Sequence, residues 1–146
     1  MSRRFDVKAD QAQGPFVLGL DVGSGGSRAA LYDASGREVR RRRTKITHEF
    51  TSGGDGESTI DADQIVDEIR SAIQKVLKGF SEPISAIGLD TFASSLVPVD
   101  ANGDALGPCI TYADTRCRKQ VASLRGMVDE EALHDRTGAR IHSSYM

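Results

Sequence analysis

Long apolar segments are missing from this chain: no run approaches the length of a membrane span, and there is no signal-peptide core. The formal net charge is only −2, so strong attraction to nucleic acid is not expected. The two cysteines, Cys109 and Cys117, fit neither a metal nor a redox spacing. The three histidines, His48, His134 and His142, are scattered, which argues against a histidine metal site. These absences leave a reducing cytoplasm as the expected location.

What the chain does contain is sufficient for one folded domain. With 146 residues, of which 38% are apolar and 27% charged, it can bury a hydrophobic core. The first residues are polar, so we expect a disordered leader over 1–14 and a domain over 15–146.

The most informative segment is the stretch FVLGLDVGSGGSRAALYD over residues 16–33. An apolar strand ends in Asp21, a Gly-Ser-Gly turn follows at 23–25, and a second strand-like run comes after it. A carboxylate repels a phosphate, but it can act on one through bound Mg²⁺ or water beside a glycine turn whose N–H groups face the anion. The segment therefore indicates nucleotide chemistry.

Two common nucleotide signatures do not fit this segment. A P-loop needs a lysine after its glycines, and none lies between Phe16 and Asp33. The dinucleotide fingerprint needs a further glycine and a helix, whereas the run after Arg28 soon reaches the turn Asp33-Ala-Ser-Gly36. The predicted phosphate-binding element is therefore a β-hairpin: a strand, a glycine turn and a second strand.

The remaining chain alternates between strand and helix signals. Asp61 as N-cap, Gln64 in capping-box position and an apolar stripe at helical spacing predict a helix that ends near Gly79. Another helix is expected up to about residue 125, and a short one from Asp129 to near Gly138. Strands are predicted at 16–20, 27–33, 37–47, 84–90, 96–99 and 109–112. This order predicts an α/β fold with a mixed sheet and flanking helices.

Four consecutive arginines at 40–43 suggest either an anion-binding patch or a solvated edge strand. Neighbouring side chains of a strand alternate between its faces, so the four cannot line one patch. We therefore favour the edge strand, on which the charges would discourage aggregation.

Three separated motifs occur in one order along the chain. The first, at 20–36, has an aspartate, a glycine turn, an arginine seven residues after the aspartate, and then Asp-x-x-Gly. The second, at 84–108, opens with Ile-Ser-Ala-Ile-Gly-Leu-Asp, and the third is Ile-Thr-Tyr-Ala-Asp-Thr-Arg at 110–116. Arg-Thr-Gly at 136–138 and His-x-x-Tyr at 142–145 fit the continuation. Together they resemble the FGGY carbohydrate kinases of the actin-like ATPase superfamily, over nearly the whole chain.

Members of that family transfer the γ-phosphoryl group of ATP to a hydroxyl of a sugar, sugar acid or polyol, between two ribonuclease H-like lobes. The resemblance implies that Asp21 helps to hold Mg²⁺, directly or through water. It also implies that Gly23, Ser24 and Gly25 present N–H groups to the transferred phosphate, while Arg28 adds positive charge or braces the turn. ATP and Mg²⁺ are thus the implied cofactors and a small-molecule carbohydrate the implied partner, with a homodimer left open.

The implied substrate site departs from the family pattern after the second strand. Phe92, Ala93 and Ser94 stand where many relatives carry Gln followed by Met-His or Arg-Glu. The substrate preferences of those relatives therefore cannot be transferred. Thr91, Phe92 and Ser94 are candidate substrate-binding residues; Thr91, Ser94 and Ser95 either contact a polyhydroxy ligand or cap the turn.

The third motif supplies the other candidate substrate contacts. Tyr112 replaces the family's tryptophan and keeps an aromatic face for a sugar ring. Asp114 and Arg116 either bind the substrate or pair with each other, and the charge of Arg116 would suit a sugar acid.

The resemblance also implies parts that this sequence does not include. The general base, an aspartate, is expected beyond residue 146 together with the adenosine-binding lobe. We therefore expect an incomplete N-terminal domain that has no kinase activity alone. Two alternatives stay open: a truncated, non-catalytic module that binds a sugar or a partner, and a different actin-like protein, against which the 112–116 segment argues.

Overall fold

The computed structural model describes residues 5–144, which form eight strands and three helices. The strands are β1 (Asp6–Val7), β2 (Phe16–Gly23), β3 (Gly26–Tyr32), β4 (Glu38–Ile46), β5 (Thr51–Ser52), β6 (Ser58–Ile60), β7 (Ile84–Thr91) and β8 (Cys109–Ile110). The helices are α1 (Ala62–Leu77), α2 (Arg118–Arg125) and α3 (Glu130–Thr137). Residues 1–4 of the predicted leader and Tyr145 of the last motif lie outside the described residues.

These elements belong to two compact units. The first combines the chain up to His48 with Gln64–Phe92, and the second combines Glu49–Asp63 with the chain from Ala93 onward. The first unit is a five-stranded sheet in the order β1-β4-β3-β2-β7. Strands β2, β3 and β4 pair antiparallel, whereas β7 lies parallel to β2 and β1 parallel to β4. The predicted α/β fold with a mixed sheet is confirmed.

Helix α1 packs on the core side of this sheet. Its Ala72 and Val76 are buried in one cluster with strand residues that include Leu18 and Leu31. The helix begins directly after Asp61, as its predicted N-cap requires. Complete burial of a side chain such as that of Val76 contributes roughly 2 kcal/mol, and Ile69, Ile73 and Leu77 pack against the same cluster, so the predicted apolar stripe holds α1 on the sheet.

Two of the four β4 arginines, Arg40 and Arg42, have specific partners, so the prediction of solvated charges holds only for Arg41 and Arg43, which are exposed. Arg40 donates to the Asp6 carboxylate at 2.8 and 3.0 Å. Arg42 donates to the backbone carbonyls of Val76 and Lys78 at 2.9 and 2.7 Å. A guanidinium at this end of α1 satisfies carbonyls that the helix leaves open and complements its dipole.

Part of the predicted leader is ordered as well. Val7 is buried in the core, and β1 pairs with β4 through Asp6 with Glu38 and Val7 with Val39. The expectation of disorder over 1–14 therefore fails at β1. A strand of two residues has no periodicity, which is why the sequence pattern did not reveal it.

The second unit contains a three-stranded sheet, β5-β6-β8, and the helices α2 and α3. Asp129 caps α3 by accepting two backbone N–H hydrogen bonds of 3.0 Å, and Gly138 ends it with a φ of 72°. The strand predicted at 96–99 is reduced to isolated bridges at Leu96 and Val99. Within residues 5–144, none of the helices has the length and apolar character needed to cross a membrane.

Candidate functional site

Strands β2 and β3 form the hairpin that the sequence predicts around Asp21. Their register places Gly23 opposite Gly26, which leaves Ser24 and Gly25 as an exposed two-residue loop. The strand, turn and strand order is confirmed, and no helix follows the glycines.

Gly26 and Gly25 of this turn differ in whether the surroundings leave room for a side chain. Gly26 has a φ of 144°, and a Cβ there would lie 2.2 Å from the carbonyl oxygen of Ile46, so the backbone excludes any larger residue. Gly25 faces open space, with nothing within 4 Å of a Cβ built on it. The fold therefore needs the glycine at 26, whereas the open surface at 25 leaves the backbone accessible to a ligand.

Asp21 and Arg28 form an ion pair across the hairpin. Arg28 Nη1 lies 2.6 Å from Asp21 Oδ2, and the two side chains are 45% and 48% exposed. An ion pair with this much solvent contact contributes between zero and about 1 kcal/mol, so either group can exchange its partner for a ligand at little cost.

Asp90 is a neighbouring carboxylate that the sequence analysis did not select. The parallel register of β2 and β7 pairs Asp21 with Asp90, so both side chains leave the same face at the same end of the sheet. They border a groove of about 830 Å³ that also passes Arg28, Tyr32 and Lys45. The signal was two apolar strands that each end in aspartate, because ligands of α/β sheets bind at the carboxyl ends of parallel strands.

Thr91 and Phe92 follow Asp90 at this end of β7. The N–H of Thr91 donates to the Asp90 carboxylate at 3.0 Å, and the N–H of Phe92 donates to the Val22 carbonyl at 2.9 Å. The half-buried Phe92 ring lies 6.2 Å from the His48 ring, centroid to centroid. Phe92 is thus partly engaged inside the first unit.

Asp114 belongs to the second unit and is held by its own neighbours. It accepts from the N–H of Ser58 at 3.1 Å and from Arg116 Nε at 2.9 Å, and Arg116 Nη2 lies 2.7 Å away. Its side chain is only 5% exposed. The side-chain hydrogen bond from Arg116, assisted by backbone N–H donors, outweighs burial and lowers the pKa of Asp114 to about 2. Of the two predicted roles, the geometry shows the pairing with Arg116.

The other candidates of the second unit are accessible. Tyr112 and Ser94 are exposed, and Ser94 has a φ of 55°. Arg116 is part-exposed and also contacts Glu57 at 3.3 Å. The predicted site residues thus form two groups: Asp21, Gly23, Ser24, Gly25, Arg28, Thr91 and Phe92 lie in the first unit, and Ser94, Tyr112, Asp114 and Arg116 in the second.

The carboxylates of the first unit suit a magnesium ion better than a metal held by protein alone. Among residues 5–144, no group of three or more His, Cys, Asp or Glu side chains is placed to hold a metal. Mg²⁺ binds through one or two carboxylates together with substrate phosphates and water. Asp21, with Asp90 beside it, offers that donor set.

Comparison with known proteins shows which protein family this chain resembles. The FGGY family of carbohydrate kinases, N-terminal domain, matches residues 16–146. The chain is 30% identical over 125 residues to a rhamnulokinase of Lactiplantibacillus plantarum, an alignment that covers 83% of this chain and 25% of that protein. It is 24% identical over 128 residues to a gluconokinase of Bacillus subtilis, covering 87% and 25%. The chain spans about a quarter of the length of these curated relatives.

The fold agrees with the sequence match. The crystal structure of a xyloylose kinase from Brucella ovis is similar with a TM-score of 0.79 and 26% identity, over 90% of this chain and 27% of that one. The resemblance drawn from three motifs and the ribonuclease H-like, actin-like fold class are both confirmed. Since the family match extends from the first strand of the hairpin to the end of the sequence, the chain belongs to the FGGY family of carbohydrate kinases and corresponds to its N-terminal domain.

Proposed function

We propose that this chain forms the N-terminal part of an enzyme that transfers the γ-phosphoryl group of ATP to a hydroxyl of a sugar, sugar acid or polyol. The observation that carries the proposal is the hairpin end of the first unit, where Asp21 and Asp90 flank an open Gly turn. Kinase activity is ascribed to the relatives by name, as rhamnulokinase and gluconokinase. The two free cysteines agree with a cytoplasmic location, which we also propose.

Phosphoryl transfer depends on positioning and charge neutralisation more than on covalent chemistry. Asp21, with Asp90 beside it, would hold Mg²⁺, which supplies positive charge against the phosphate oxygens. The exposed turn of Gly23, Ser24 and Gly25 would donate backbone N–H groups to the transferred phosphate. Arg28 would leave its half-exposed pair with Asp21 and add its charge to the same anion.

Acceptor contacts are proposed for each group by itself. In the first unit, Thr91 and Phe92 would contact the substrate directly after β7. In the second unit, Ser94 would add a polar contact and Tyr112 an aromatic face. Arg116 would present the exposed part of its guanidinium to a substrate carboxylate, with Asp114 fixing its orientation rather than touching the substrate. The general base and the adenosine site would come from chain beyond these residues.

The decisive experiment measures ADP release by the whole gene product with pentuloses, hexonates and polyols as acceptors. Asp21→Asn should lower kcat by at least about 100-fold, because the charge against the phosphate is lost. Asp67→Asn is the matched control, since Asp67 also forms an exposed ion pair, with Arg70 at 3.1 Å, on the outside of α1. Equal effects of the two variants would contradict the role of Asp21.

A second measurement separates a kinase from a non-catalytic sugar-binding module. The 146-residue chain should release no ADP, yet MgATP should shift the amide resonances of Ser24 and Gly25. Gly25→Ala should weaken that response, because the added methyl enters the open space over the turn, whereas Gly54→Ala, in equally open space, should not. Sugar-induced stabilisation of the whole gene product without any acceptor-dependent ADP release would favour the binding module.

A further inference from the structure

A buried polar cluster lies directly behind the glycine turn. The His48 side chain is fully buried; its Nδ1 lies 2.5 Å from Glu68 Oε2 and its Nε2 3.0 Å from the Gly23 carbonyl oxygen. The Glu68 carboxylate also accepts from Ser27 Oγ at 3.2 Å and from Gln64 Nε2 at 2.8 Å. The His48–Glu68 pair therefore links strand β3, helix α1 and the turn, with β3 reaching Glu68 and the turn reaching the imidazole ring.

The partners of the ring determine where its protons are. A carbonyl oxygen only accepts hydrogen bonds, so Nε2 of His48 must carry the hydrogen that points at Gly23. A proton must also lie between Nδ1 and the Glu68 carboxylate, because two lone pairs at 2.5 Å would repel each other. His48 and Glu68 together therefore hold one proton more than a neutral imidazole and an ionised carboxylate would. This charge-assisted contact fixes the orientation of the ring.

The Gly23 carbonyl, held by His48, determines the direction of the next amide group, the N–H of Ser24. The carbonyl of Gly23 and the N–H of Ser24 belong to one planar trans peptide unit, in which the two groups point in opposite directions. Because the carbonyl points inward to His48, the N–H of Ser24 is directed away from the core, on an exposed residue. The preceding peptide is held from the other side by the Phe92 N–H on the Val22 carbonyl.

We propose that His48, itself oriented by Glu68, is a positioning residue that aims the Ser24 N–H at the phosphate. The inference rests on the proposed function, because it names what supports the turn that this function uses. His48 touches no substrate; it acts through the Gly23–Ser24 peptide. Preorganised donors are the groups that contribute most to charge stabilisation, so a turn free to rotate this peptide would bind the anion less well.

The first test needs no variant. Nitrogen-15 spectra of the imidazole rings in the 146-residue chain should show the Nε2 of His48 protonated, with a coupling from that nitrogen to the Gly23 carbonyl carbon. A ring that is protonated at Nδ1 alone would overturn the proposal, because it could not donate to Gly23.

The second test uses two variants that each keep one contact. The amide nitrogen of glutamine can take the place of Nε2 and donate to Gly23, whereas that of asparagine takes the place of Nδ1 and reaches only Glu68. His48→Asn should accelerate hydrogen exchange of the Ser24 amide by about tenfold, and His48→Gln should restore most of the protection. Exchange that changes equally in both variants, or in neither, would overturn the positioning role. Amides of β7 serve as the internal control for global unfolding.

The effect of His48 on phosphate binding is measured separately. Millimolar MgATP should shift the Ser24 amide of the parent chain and of His48→Gln, and shift it several-fold less in His48→Asn. If MgATP shifts neither Ser24 nor Gly25 in the parent chain, the proposed phosphate-binding role of the turn fails and takes the phosphate part of the inference with it. If the parent responds and both variants respond equally, the proposed function stands and the inference about His48 is wrong.

Discussion

Replacing Asp114 by asparagine tests whether this carboxylate is a structural anion. The change keeps the size of the side chain but removes the negative charge that faces Arg116. It also places the NH₂ group of the asparagine against a hydrogen-bond donor, either Arg116 Nε or the N–H of Ser58, where the carboxylate supplied an acceptor. With the side chain only 5% exposed, solvent cannot replace the lost contacts, so we expect a clear loss of folding stability.

The magnitude follows from the pKa of Asp114. Its fall from 3.8 to about 2 on folding corresponds to about 2 kcal/mol at neutral pH. Because the folded pKa lies below the unfolded one, this stability is complete above about pH 5 and is lost as the pH falls through 3.8 toward 2. At pH 3 roughly half of it remains, since the folded-state carboxyl is still mostly ionised there.

Urea denaturation of the parent chain and of Asp114→Asn, followed by far-ultraviolet circular dichroism, gives the difference directly. The variant should be less stable by about 2 kcal/mol at pH 7 and by about half as much at pH 3. Asp67→Asn, which removes an exposed carboxylate, should cost less than about 0.5 kcal/mol at either pH. A difference for Asp114→Asn that is below 0.5 kcal/mol at pH 7, or that does not shrink with acid, would refute the reasoning.

Three further changes test single contacts of the first unit. Gly26→Ala should destabilise the chain by more than about 2 kcal/mol in urea, because its Cβ would lie 2.2 Å from the Ile46 carbonyl; an unchanged urea midpoint would contradict the backbone geometry. Arg42→Met should cost about 1 kcal/mol and accelerate amide exchange in the last turn of α1, since it frees carbonyls that the guanidinium now satisfies; normal exchange there would argue against the capping role. Arg28→Gln should change stability by less than about 1 kcal/mol yet weaken the MgATP-induced shifts at the turn, and the reverse pattern would mean that Arg28 only braces Asp21.

Local chemistry made part of this architecture predictable from the sequence. The segment between the Gly turn and the turn at 33–36 is too short for a helix, so it could only return as a strand, and β3 does so. The stripe at helical spacing and the caps at Asp61 and Asp129 located α1 and α3 because these signals concern residues close together in the chain.

Contacts between distant residues could not be predicted in the same way. The sequence shows that two apolar strands each end in aspartate, but not that these strands pair in the register that makes Asp90 a neighbour of Asp21. The scattered histidines argued only against a histidine metal site; they gave no local signal for the role of His48, because its partner Glu68 lies twenty residues away, on a helix face that otherwise carries apolar residues. A glutamate on the buried side of an amphipathic helix was the signal, since a buried carboxylate needs a partner.

Asp21 and Asp114 look alike in sequence, because each precedes an arginine with which it pairs in the structure. They differ in what a cation would have to displace. Asp114 is buried and meets donors from Ser58 and from Arg116, so a ligand would have to remove several hydrogen bonds from a carboxylate that solvent does not reach. Asp21 is about half exposed and would give up a single exposed ion pair. Mg²⁺ can replace Arg28 as the cation beside Asp21, and phosphate oxygens can replace Asp21 as the anion beside Arg28. Exposure and the number of donors, rather than the motif itself, therefore separate the carboxylate suited to a metal from the one that holds the fold.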